Sequence, residues 1–450
     1  MKPNELDGLL IESDATRDFS VDRSIYTDEK IFDLEMKHIF ESTWIFLCLE
    51  SQIPNSHDFS TVTIGRQPVL VVRNGEGRVN AFYNACAHKG NLLANTRFGT
   101  QKFFQCPYHA WTYDANGANI SIKNKRVGDY SLPFESANHG LTPIAKVASY
   151  KGWVFGSLSP DVPSLEDHLG GAKVFIDLIS DQSAEGIELV PGQVSYTFPG
   201  NWKMQIENCL DGYHLDTSHA TFVQLTERRK ARMGAAFKSG DISAMLDPKL
   251  RSGSFAFSGG HAAFFTQNPS PKNRPIYAKH DELVNRLGET KAKWVLEYGR
   301  NLTVFPSVQC TDNAVVGQFR VIRPIAVDKT EMQLYCWAPK GEAAGLRAER
   351  IQAYVDFFTV SGVGTPDDAA AYEACQQGYA AAEGARWQQG YSRGQGSVIQ
   401  NGQSDIAKEL GISPTTSSIG SLTLSDETLF QAAYREWHRL LKKGLQAATK

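Results

Sequence analysis

Two cysteines and two histidines occur in two short motifs within the first quarter of the chain. Cys86 and His88 form Cys-x-His, and after seventeen residues Cys106 and His109 form Cys-x-x-His. Each pair is short enough for one loop to present two ligands to a common metal centre. Zinc is one interpretation, but zinc fingers usually pair cysteine with cysteine and histidine with histidine. One cysteine and one histidine in each loop favours a [2Fe–2S] cluster of the Rieske type, in which the cysteines bind one iron and the histidines the other.

The segment NWKMQIENCLDGYHLDTSHATF, residues 201–222, contains a second group of possible metal ligands. Asp211 and His214 are three residues apart, so on a helix they would share one face. His219 follows five residues after His214, which predicts a bend between the two histidines. Two imidazoles and one carboxylate are typical of non-haem Fe(II) oxygenases, whose remaining coordination positions are open to dioxygen. The cluster motif favours this interpretation over ordinary hydrogen-bonding histidines, because an electron-carrying cluster implies a site that uses electrons.

The carboxylate of this second site is either local or distant. Asp211 is the local candidate, since it precedes His214 by about one helical turn. In GVGTPDDAAAYEACQQGY, Asp367 and Asp368 are the distant candidates, and their other interpretation is the cap of a helix that begins near Ala369. The residues alone leave these alternatives open.

The composition is that of an ordinary globular protein. Of 450 residues, 42% are hydrophobic and 21% are charged, and the formal net charge is −3. This length is sufficient for two or three domains. Because there is no basic field and no apolar run long enough to span a bilayer, we expect neither nucleic acid nor a membrane as a partner. The seven cysteines are scattered and the N-terminus lacks the features of a signal peptide, so we expect a cytoplasmic protein.

The pattern of apolar residues predicts an α+β fold. Residues 27–41 show helical periodicity, with Thr27 as the N-cap. From residue 43 to 157, short strands alternate with glycine and asparagine turns, which indicates a small antiparallel β domain. We predict three parts: an N-terminal helical segment, 1–42, that packs on the catalytic domain; a Rieske domain, 43–158; and a catalytic domain, 159–450, with an antiparallel sheet flanked by helices in a helix-grip-like arrangement.

Taken together, these motifs resemble the large (α) subunit of the Rieske non-haem iron aromatic-ring-hydroxylating dioxygenases. The resemblance extends over nearly the whole chain, from the cluster motif to a closing helix that contains YREWHRLL. Within the family, NWKMQIENCLDGYHLDTSH and SGVGTPDDAAAYEACQQGY are similar to the benzoate, toluate and anthranilate dioxygenase group. The resemblance implies one [2Fe–2S] Rieske cluster and one mononuclear Fe(II) in each chain.

The resemblance also implies a role for each motif residue. The cluster ligands match Cys86, His88, Cys106 and His109, and the mononuclear iron ligands match His214, His219 and Asp368. Asp211 then matches an acid that bridges the two metal sites, not a ligand, and Asn208 matches a pocket position beside the iron. The candidate substrate-pocket residues, by motif position, are Asn208, Leu210, Leu215, Asn301 and Val304.

The chain contains no convincing dinucleotide-binding fingerprint, because GVGTPD lacks the third glycine and the strand-to-helix setting of a Rossmann loop. We therefore expect a separate reductase to oxidise NADH and to deliver electrons directly or through a ferredoxin. The resemblance implies a trimer of α subunits, completed as α₃β₃ by a small β subunit, in which one subunit's cluster lies near its neighbour's iron. Asp211 would then join His214 to His109 of the partner subunit.

The resemblance implies that O₂ is used to cis-dihydroxylate a small aromatic carboxylate of the benzoate or anthranilate type. A Rieske monooxygenase of salicylate-like rings and an aniline-type dioxygenase share the same motifs. A Rieske electron carrier without oxygenase activity is the alternative from another class. A carboxylate substrate needs a cationic anchor, for which the candidates, unless they form a solvated helix face, are Arg228, Arg229, Lys230 and Arg232.

Overall fold

The computed structural model describes residues 2–13, 16, 18–234, 247, 249–313, 317–420 and 425–448. The helices in these ranges are α1 (Pro3–Leu6), α2 (Glu29–Glu35), α3 (Leu132–Ser136), α4 (Leu165–Leu169), α5 (Lys173–Ser180), α6 (Trp202–Asn208), α7 (Leu215–Ser218), α8 (Ala220–Met233), α9 (His280–Leu287), α10 (Glu289–Glu297), α11 (Ala344–Phe358), α12 (Gly364–Tyr379), α13 (Asp405–Leu410) and α14 (Phe430–Ala448).

The strands are β1 (Leu10–Ser13), β2 (Asp18–Asp22), β3 (Ile45–Leu49), β4 (Asp58–Ile64), β5 (Gln67–Arg73), β6 (Val79–Tyr83), β7 (Phe98–Thr100), β8 (Phe103–Gln105), β9 (Thr112–Asp114), β10 (Asn119–Ser121), β11 (Lys146–Tyr150), β12 (Trp153–Ser157), β13 (Ile187–Leu189), β14 (Val194–Phe198), β15 (Ser252–Ala256), β16 (Ala262–Gln267), β17 (Tyr298–Val304), β18 (Val308–Asp312), β19 (Gly317–Ala326), β20 (Lys329–Pro339), β21 (Trp387–Gln388), β22 (Val398–Gln400) and β23 (Thr416–Ile419).

The chain forms two compact units, residues 40–165 and residues 1–39 together with 166–450. The smaller unit consists of three small antiparallel sheets with strand orders β6-β5-β4-β7, β10-β9-β8 and β11-β12-β3. Phe59, Val72 and Phe104 belong to its buried core, which includes the two motif cysteines. The loop after β6 carries Cys-x-His and the hairpin loop between β8 and β9 carries Cys-x-x-His, so loops at strand ends present both cluster motifs.

The larger unit is built on one antiparallel sheet with the strand order β13-β20-β19-β18-β17-β16-β15-β23-β22, and β14 also pairs with β20. Helices α6, α11 and α14 pack against this sheet. The predicted α+β fold, with a β-rich first domain and an antiparallel sheet flanked by helices, is therefore confirmed. No helix in the described ranges is both long and apolar enough to cross a lipid bilayer.

Two rows of side chains cross one face of the large sheet, because paired residues on neighbouring strands and alternate residues on one strand share a face. The first row consists of Phe264, Asn301, Thr311 and Gln318. The second row lies two residues further along each strand and consists of Ala262, Thr303, Gln309 and Arg320.

The second row holds helix α6 on the sheet. The side-chain amide of Gln309 donates hydrogen bonds to the carbonyl oxygens of Gln205 at 2.9 Å and Ile206 at 3.1 Å. It also donates to the hydroxyl of Thr303 at 3.1 Å. Carbonyl groups in the last turn of a helix have no intrahelical hydrogen-bond partners, and these buried bonds satisfy two of them. The position of α6 is therefore set from the sheet beneath it.

A buried carboxylate joins α6 to the two ends of the chain. Glu35 on α2 is fully buried and lies 2.5 Å from Nζ of Lys203 on α6. It also accepts hydrogen bonds from the indole nitrogens of Trp202 at 2.8 Å and Trp437 at 2.6 Å. A buried charge is tolerated only when it is paired and hydrogen-bonded, as this one is. The network fixes α2, α6 and α14 together.

Two predicted helix starts are wrong by a few residues. Helix α2 begins at Glu29 because Asp28, not Thr27, is the N-cap, and its carboxylate accepts the Lys30 backbone N–H at 2.7 Å. Helix α12 begins at Gly364, not near Ala369, so Asp367 and Asp368 lie inside its first turns and do not cap it.

Candidate active site

The predicted iron ligands converge in the larger unit. Nε2 of His214 lies 3.2 Å from Nε2 of His219 and 3.4 Å from Oδ1 of Asp368. Nε2 of His219 lies 3.3 Å from the same oxygen. Atoms bound to one metal at about 2.1 Å are about 3.0–3.4 Å apart when the angles at the metal are about 90–109°. Two imidazoles and one carboxylate in this arrangement fit one metal ion, and their chemistry fits non-haem Fe(II).

Turns, not one continuous helix, present the two histidines. Asn201 caps the start of α6 by accepting the Lys203 backbone N–H at 3.1 Å, and the helix ends at Asn208. The following residues, which include Asp211, form a turn, and His214 immediately precedes the short helix α7. The expected shared helical face of Asp211 and His214 is therefore wrong. The predicted bend is confirmed, since His219 lies at the junction between α7 and α8.

Asp211 contacts the back of the His214 ring. Its Oδ2 atom lies 3.0 Å from Nδ1 of His214, whereas Nε2 of that ring faces His219 and Asp368. Its Oδ1 atom accepts the backbone N–H of Tyr213 at 2.7 Å. The Asp211 side chain is 23% exposed, so it reaches from a ligand toward the surface. The carboxylate that completes the donor group is Asp368.

The electrostatics of the donor group favour a cation. Burial opposes a charged His214 ring, but its contacts with Asp211 and Asp368 outweigh burial and raise its pKa to about 10. Burial would likewise raise the pKa of Asp368, but hydrogen bonds from His214 and His219 hold it far below its ordinary value. A metal ion would take the place of the proton that these groups share.

The donor group lines a cavity. Of the predicted pocket residues, Asn208, Leu215 and Asn301 line this cavity. Leu210 and Val304 do not line it and are 2% exposed in the core. Val304 differs from Asn301 because it is an odd number of residues away on β17, so its side chain points to the opposite face of the sheet.

The sequence analysis did not identify most of the other residues that line this cavity. Phe264, Phe357 and Phe358 supply its aromatic surface, and Thr311 and Arg320 supply polar groups. Strand β19 contains Arg320 among buried residues, and an arginine inside such a strand is the signal that could have identified it. The candidate anchors on α8 are elsewhere: Arg228, Lys230 and Arg232 are exposed, and Arg229 pairs with Asp356 at 3.0 Å. They form the solvated helix face that was the second interpretation.

The two cluster motifs adopt matching turns in the smaller unit. The carbonyl of Cys86 accepts the N–H of Gly90 at 2.8 Å, and the carbonyl of Cys106 accepts the N–H of Ala110 at 2.9 Å. Gly90 and Ala110 both have positive φ angles, 72° and 57°, which is uncommon for a residue with a side chain. Each turn directs one cysteine and one histidine toward the other loop, and the His88 and His109 rings lie 4.5 Å apart.

The donors of these loops fit a Rieske cluster. Both cysteines are buried and free. Nδ1 of His109 is also buried and has no hydrogen-bond partner in the described part of the chain, as expected of an atom reserved for a metal. Trp111 stacks on the His88 ring at 5.0 Å. The hydroxyl of Tyr113 lies 3.2 Å from the Cys86 sulfur, where a hydrogen bond would stabilise the negative charge of a cluster thiolate.

Comparisons with known proteins agree with both sites. Residues 43–134 match the Rieske [2Fe-2S] domain family, and residues 189–440 match the family of ring hydroxylating alpha subunits, catalytic domain. The chain is 38% identical to toluate 1,2-dioxygenase subunit alpha of Pseudomonas putida, over 98% of this chain and 95% of that protein. It is 40% identical to the large subunit of anthranilate 1,2-dioxygenase of Acinetobacter baylyi, over 95% and 90%.

Two further matches support the same relationship. The large subunit of 2-halobenzoate 1,2-dioxygenase of Burkholderia cepacia is 39% identical, over 96% of this chain and 91% of that one. Naphthalene 1,2-dioxygenase from Rhodococcus sp., solved with bound indole, superposes with a TM-score of 0.78 over 94% of both chains. At 23% identity, this structure shows the shared fold.

The chain belongs to the family of ring-hydroxylating dioxygenase alpha subunits. It is an oxidoreductase with a Rieske [2Fe–2S] domain and a non-haem iron catalytic domain. The zinc interpretation and the Rieske electron carrier without oxygenase activity are both set aside by this result.

Proposed function

We propose that this chain is the terminal oxygenase subunit that cis-dihydroxylates a small aromatic carboxylate. The ring, O₂, two electrons and two protons give a cis-dihydrodiol, with the electrons drawn from NADH by a separate reductase. The names of the three relatives at 38–40% identity, toluate, 2-halobenzoate and anthranilate dioxygenase, support this substrate class, since all three compounds are aromatic carboxylates.

The observation that carries the proposal is the state of Arg320. Four arginines among the described residues are buried, and three have a carboxylate partner: Arg274 and Arg300 pair with Asp312, and Arg350 pairs with Glu342. Within the described ranges, Arg320 has no carboxylate at ion-pair distance. A buried guanidinium without an acid is costly, and this one faces the cavity of the iron site.

Neutral amides orient Arg320 and leave capacity for an anion. Its Nη1 donates to Oδ1 of Asn208 at 2.8 Å and its Nε donates to the side-chain oxygen of Gln318 at 2.6 Å. A guanidinium has five N–H groups and binds a carboxylate through two of them. Arg320 would therefore hold the substrate carboxylate while the aromatic walls of the cavity hold the ring.

Asn208 lies between the anchor and the metal ligands. Its side-chain nitrogen is 3.5 Å from Nε2 of His214, while its oxygen accepts the bond from Arg320. When bound, the cluster supplies single electrons and Fe(II) supplies the site at which dioxygen is reduced. Asn208 and Arg320 together would fix which ring edge faces that site.

The alternative substrates differ in whether they give the Arg320 guanidinium a counter-charge. An aniline-type substrate offers no anion to Arg320, so the guanidinium would remain without a counter-charge in the cavity. A salicylate-type monooxygenase keeps the carboxylate and differs only in the number of oxygen atoms added, which product identification decides.

The test is Arg320→Gln in the purified oxygenase with its electron-transfer partners, assayed on benzoate with product identification. Loss of a buried charge partner costs about 2–5 kcal/mol, so kcat/KM for benzoate should fall at least about 30-fold. Arg228→Gln, which removes an exposed guanidinium, is the matched control and should resemble wild type. Unchanged kcat/KM in R320Q, or conversion of aniline but of no aromatic carboxylate, would contradict the proposal.

The partners belong to the same proposal. Relatives named as large subunits work beside a smaller one, which supports an α₃β₃ assembly with a small β subunit. The partly exposed Asp211 behind His214 supports electron delivery from the cluster of a neighbouring copy, with Asp211 joining His214 to His109 of the partner subunit. A reductase, alone or with a ferredoxin, would reduce that cluster.

A further inference from the structure

The cavity of the iron site contains a second set of polar groups that the anchoring of a carboxylate does not use. Asn301 on β17 and Thr311 on β18 are directly paired across the sheet and both line this cavity. Oδ1 of Asn301 and Oγ1 of Thr311 are both buried, and neither has a hydrogen-bond partner among the residues that the structure describes. Thr311 as a whole is 1% exposed. Buried polar atoms are usually hydrogen-bonded, so two such atoms on neighbouring strands at one cavity call for a partner.

The orientation of the Asn301 amide is set by its surroundings. Its side-chain nitrogen donates a hydrogen bond to the carbonyl of Cys209 at 2.7 Å. The opposite rotamer of the amide would place two oxygens against each other, so the amide atom left without a partner is the oxygen Oδ1 and not the nitrogen. A carboxamide oxygen only accepts hydrogen bonds. The group that satisfies Asn301 must therefore carry an N–H or an O–H.

Thr311 extends this requirement. Its hydroxyl accepts or donates, so beside Asn301 it suits a group with two N–H donors, or a hydroxyl that donates to one residue and accepts from the other. Arg320 lies one strand further across the sheet and two residues along it from Gln318, the partner of Thr311. The cavity thus presents a cation at one position and hydrogen-bond acceptors at another, and aromatic side chains line the same cavity.

Resting on the proposed function, we infer that Asn301 and Thr311 select an aromatic carboxylate that carries an amino or hydroxyl substituent on the ring. An alkyl or halogen substituent at the same position would bury both oxygens unpaired. Sites built to hydrogen-bond a substrate group discriminate strongly against analogues that lack it, because the polar groups of the site are then left without partners.

Position-matched pairs of ligands test this inference. Binding of benzoate and of 2-, 3- and 4-aminobenzoate, each beside its methyl analogue, is measured by calorimetry on the iron-loaded protein without oxygen. An amino and a methyl group are similar in size, so the ratio of the affinities of the amino and methyl compounds reports the hydrogen bonds of the amino group. We expect the amino compound to bind at least about tenfold more tightly at one ring position. If the carboxylates bind but the affinity ratio is near one at all three ring positions, this inference is overturned and the proposed function is not.

Variants assign the preference to the two residues. Thr311→Val keeps the shape of the side chain and should lower the amino-to-methyl ratio several-fold, and Asn301→Leu should lower it further. Thr197→Val, at an exposed position on β14 of the same sheet, should leave the ratio at its wild-type value. An unchanged ratio in T311V and N301L would overturn the assignment. If no carboxylate in the panel binds, the proposed function itself has failed and this inference fails with it.

Discussion

At the scale of single residues, Asp211 acts on an iron ligand from behind. Its contact of 3.0 Å with Nδ1 of His214 determines which nitrogen of the ring carries the proton and which is available to a metal. A carboxylate in this position also favours a positive charge on the imidazole. The same side chain is partly exposed, so it can contact a group outside the described chain.

The substitution Asp211→Asn preserves size but removes the charge. We expect cluster and iron contents to stay near wild type and NADH-driven product formation to fall by about 10- to 100-fold. Iron analysis, the visible spectrum of the cluster and the steady-state rate measure these quantities. Asp216→Asn changes an exposed carboxylate on α7 and serves as the control. A near wild-type rate in D211N, or a rate that falls only in step with iron content, would rule out the bridging role.

At the scale of elements, helix α6 is joined to the C-terminal helix by a buried acid. The carboxylate of Glu207 accepts hydrogen bonds from the hydroxyls of Tyr391 at 2.9 Å, Tyr26 at 3.3 Å and Tyr434. Burial favours the protonated acid and outweighs these hydrogen bonds, which raises the pKa of Glu207 to about 7. Four segments of the chain therefore meet at a carboxyl group whose pKa is about 7.

This cluster predicts how stability depends on pH. The pKa of Glu207 in the folded chain, about 7, lies above its ordinary value of 4.5, so its contribution is fully present below pH 4.5 and is lost as pH rises through 7. The loss is at most about 3 kcal/mol. Glu207→Gln cannot titrate, so its stability relative to wild type should rise between pH 5 and pH 8. Chemical unfolding at several pH values measures the difference.

The exposed Glu29→Gln is the control for this series, because it makes the same change at the surface, away from the tyrosine cluster. A constant difference between E207Q and wild type from pH 5 to pH 8 would show that Glu207 is ionised throughout. The buried tyrosine hydroxyls would then be sufficient to stabilise the charge.

At the scale of the whole molecule, the two donor sets belong to different compact units. The cluster motifs lie within residues 40–165, and His214, His219 and Asp368 lie within the larger unit. Each donor set is complete within its own unit, so each should bind its metal without the other.

The two separate donor sets predict two independent pools of iron in each chain, with about two irons in the cluster and one at the mononuclear site. Iron analysis measures these pools. We expect His219→Ala to lose about one iron per chain and to keep the red-brown cluster spectrum. Cys106→Ala should lose that spectrum and about two irons while it keeps the third. Loss of all iron in either variant would contradict independent binding.

The sequence predicted the metal donors better than the substrate cavity, and the reason is physical. Metal ligands are rare residue types at short spacings, so Cys86 and His109 stand out in their motifs. Asp368 required the family resemblance, because nothing local distinguishes it from a helix cap. Thr311 could not be assigned, because its place in the cavity depends on the pairing register of β18 and β19, far from the iron motif. Arg320 was missed for the same reason, although an arginine within a buried strand is a signal in itself. Element starts such as that of α12 also shifted, since tertiary contacts override local capping signals.

The two polar rows on the large sheet bear on how new enzymes of this kind arise. The second row supports helix α6, which precedes the iron motif, and carries the proposed anchor for the acid, whereas the first row would contact the remainder of the ring. Substitutions at Asn301 and Thr311 should therefore change the substrate preference of the chain without altering the metal ligands. A library of substitutions restricted to those two positions would change which substrates are accepted while every metal ligand stays in place.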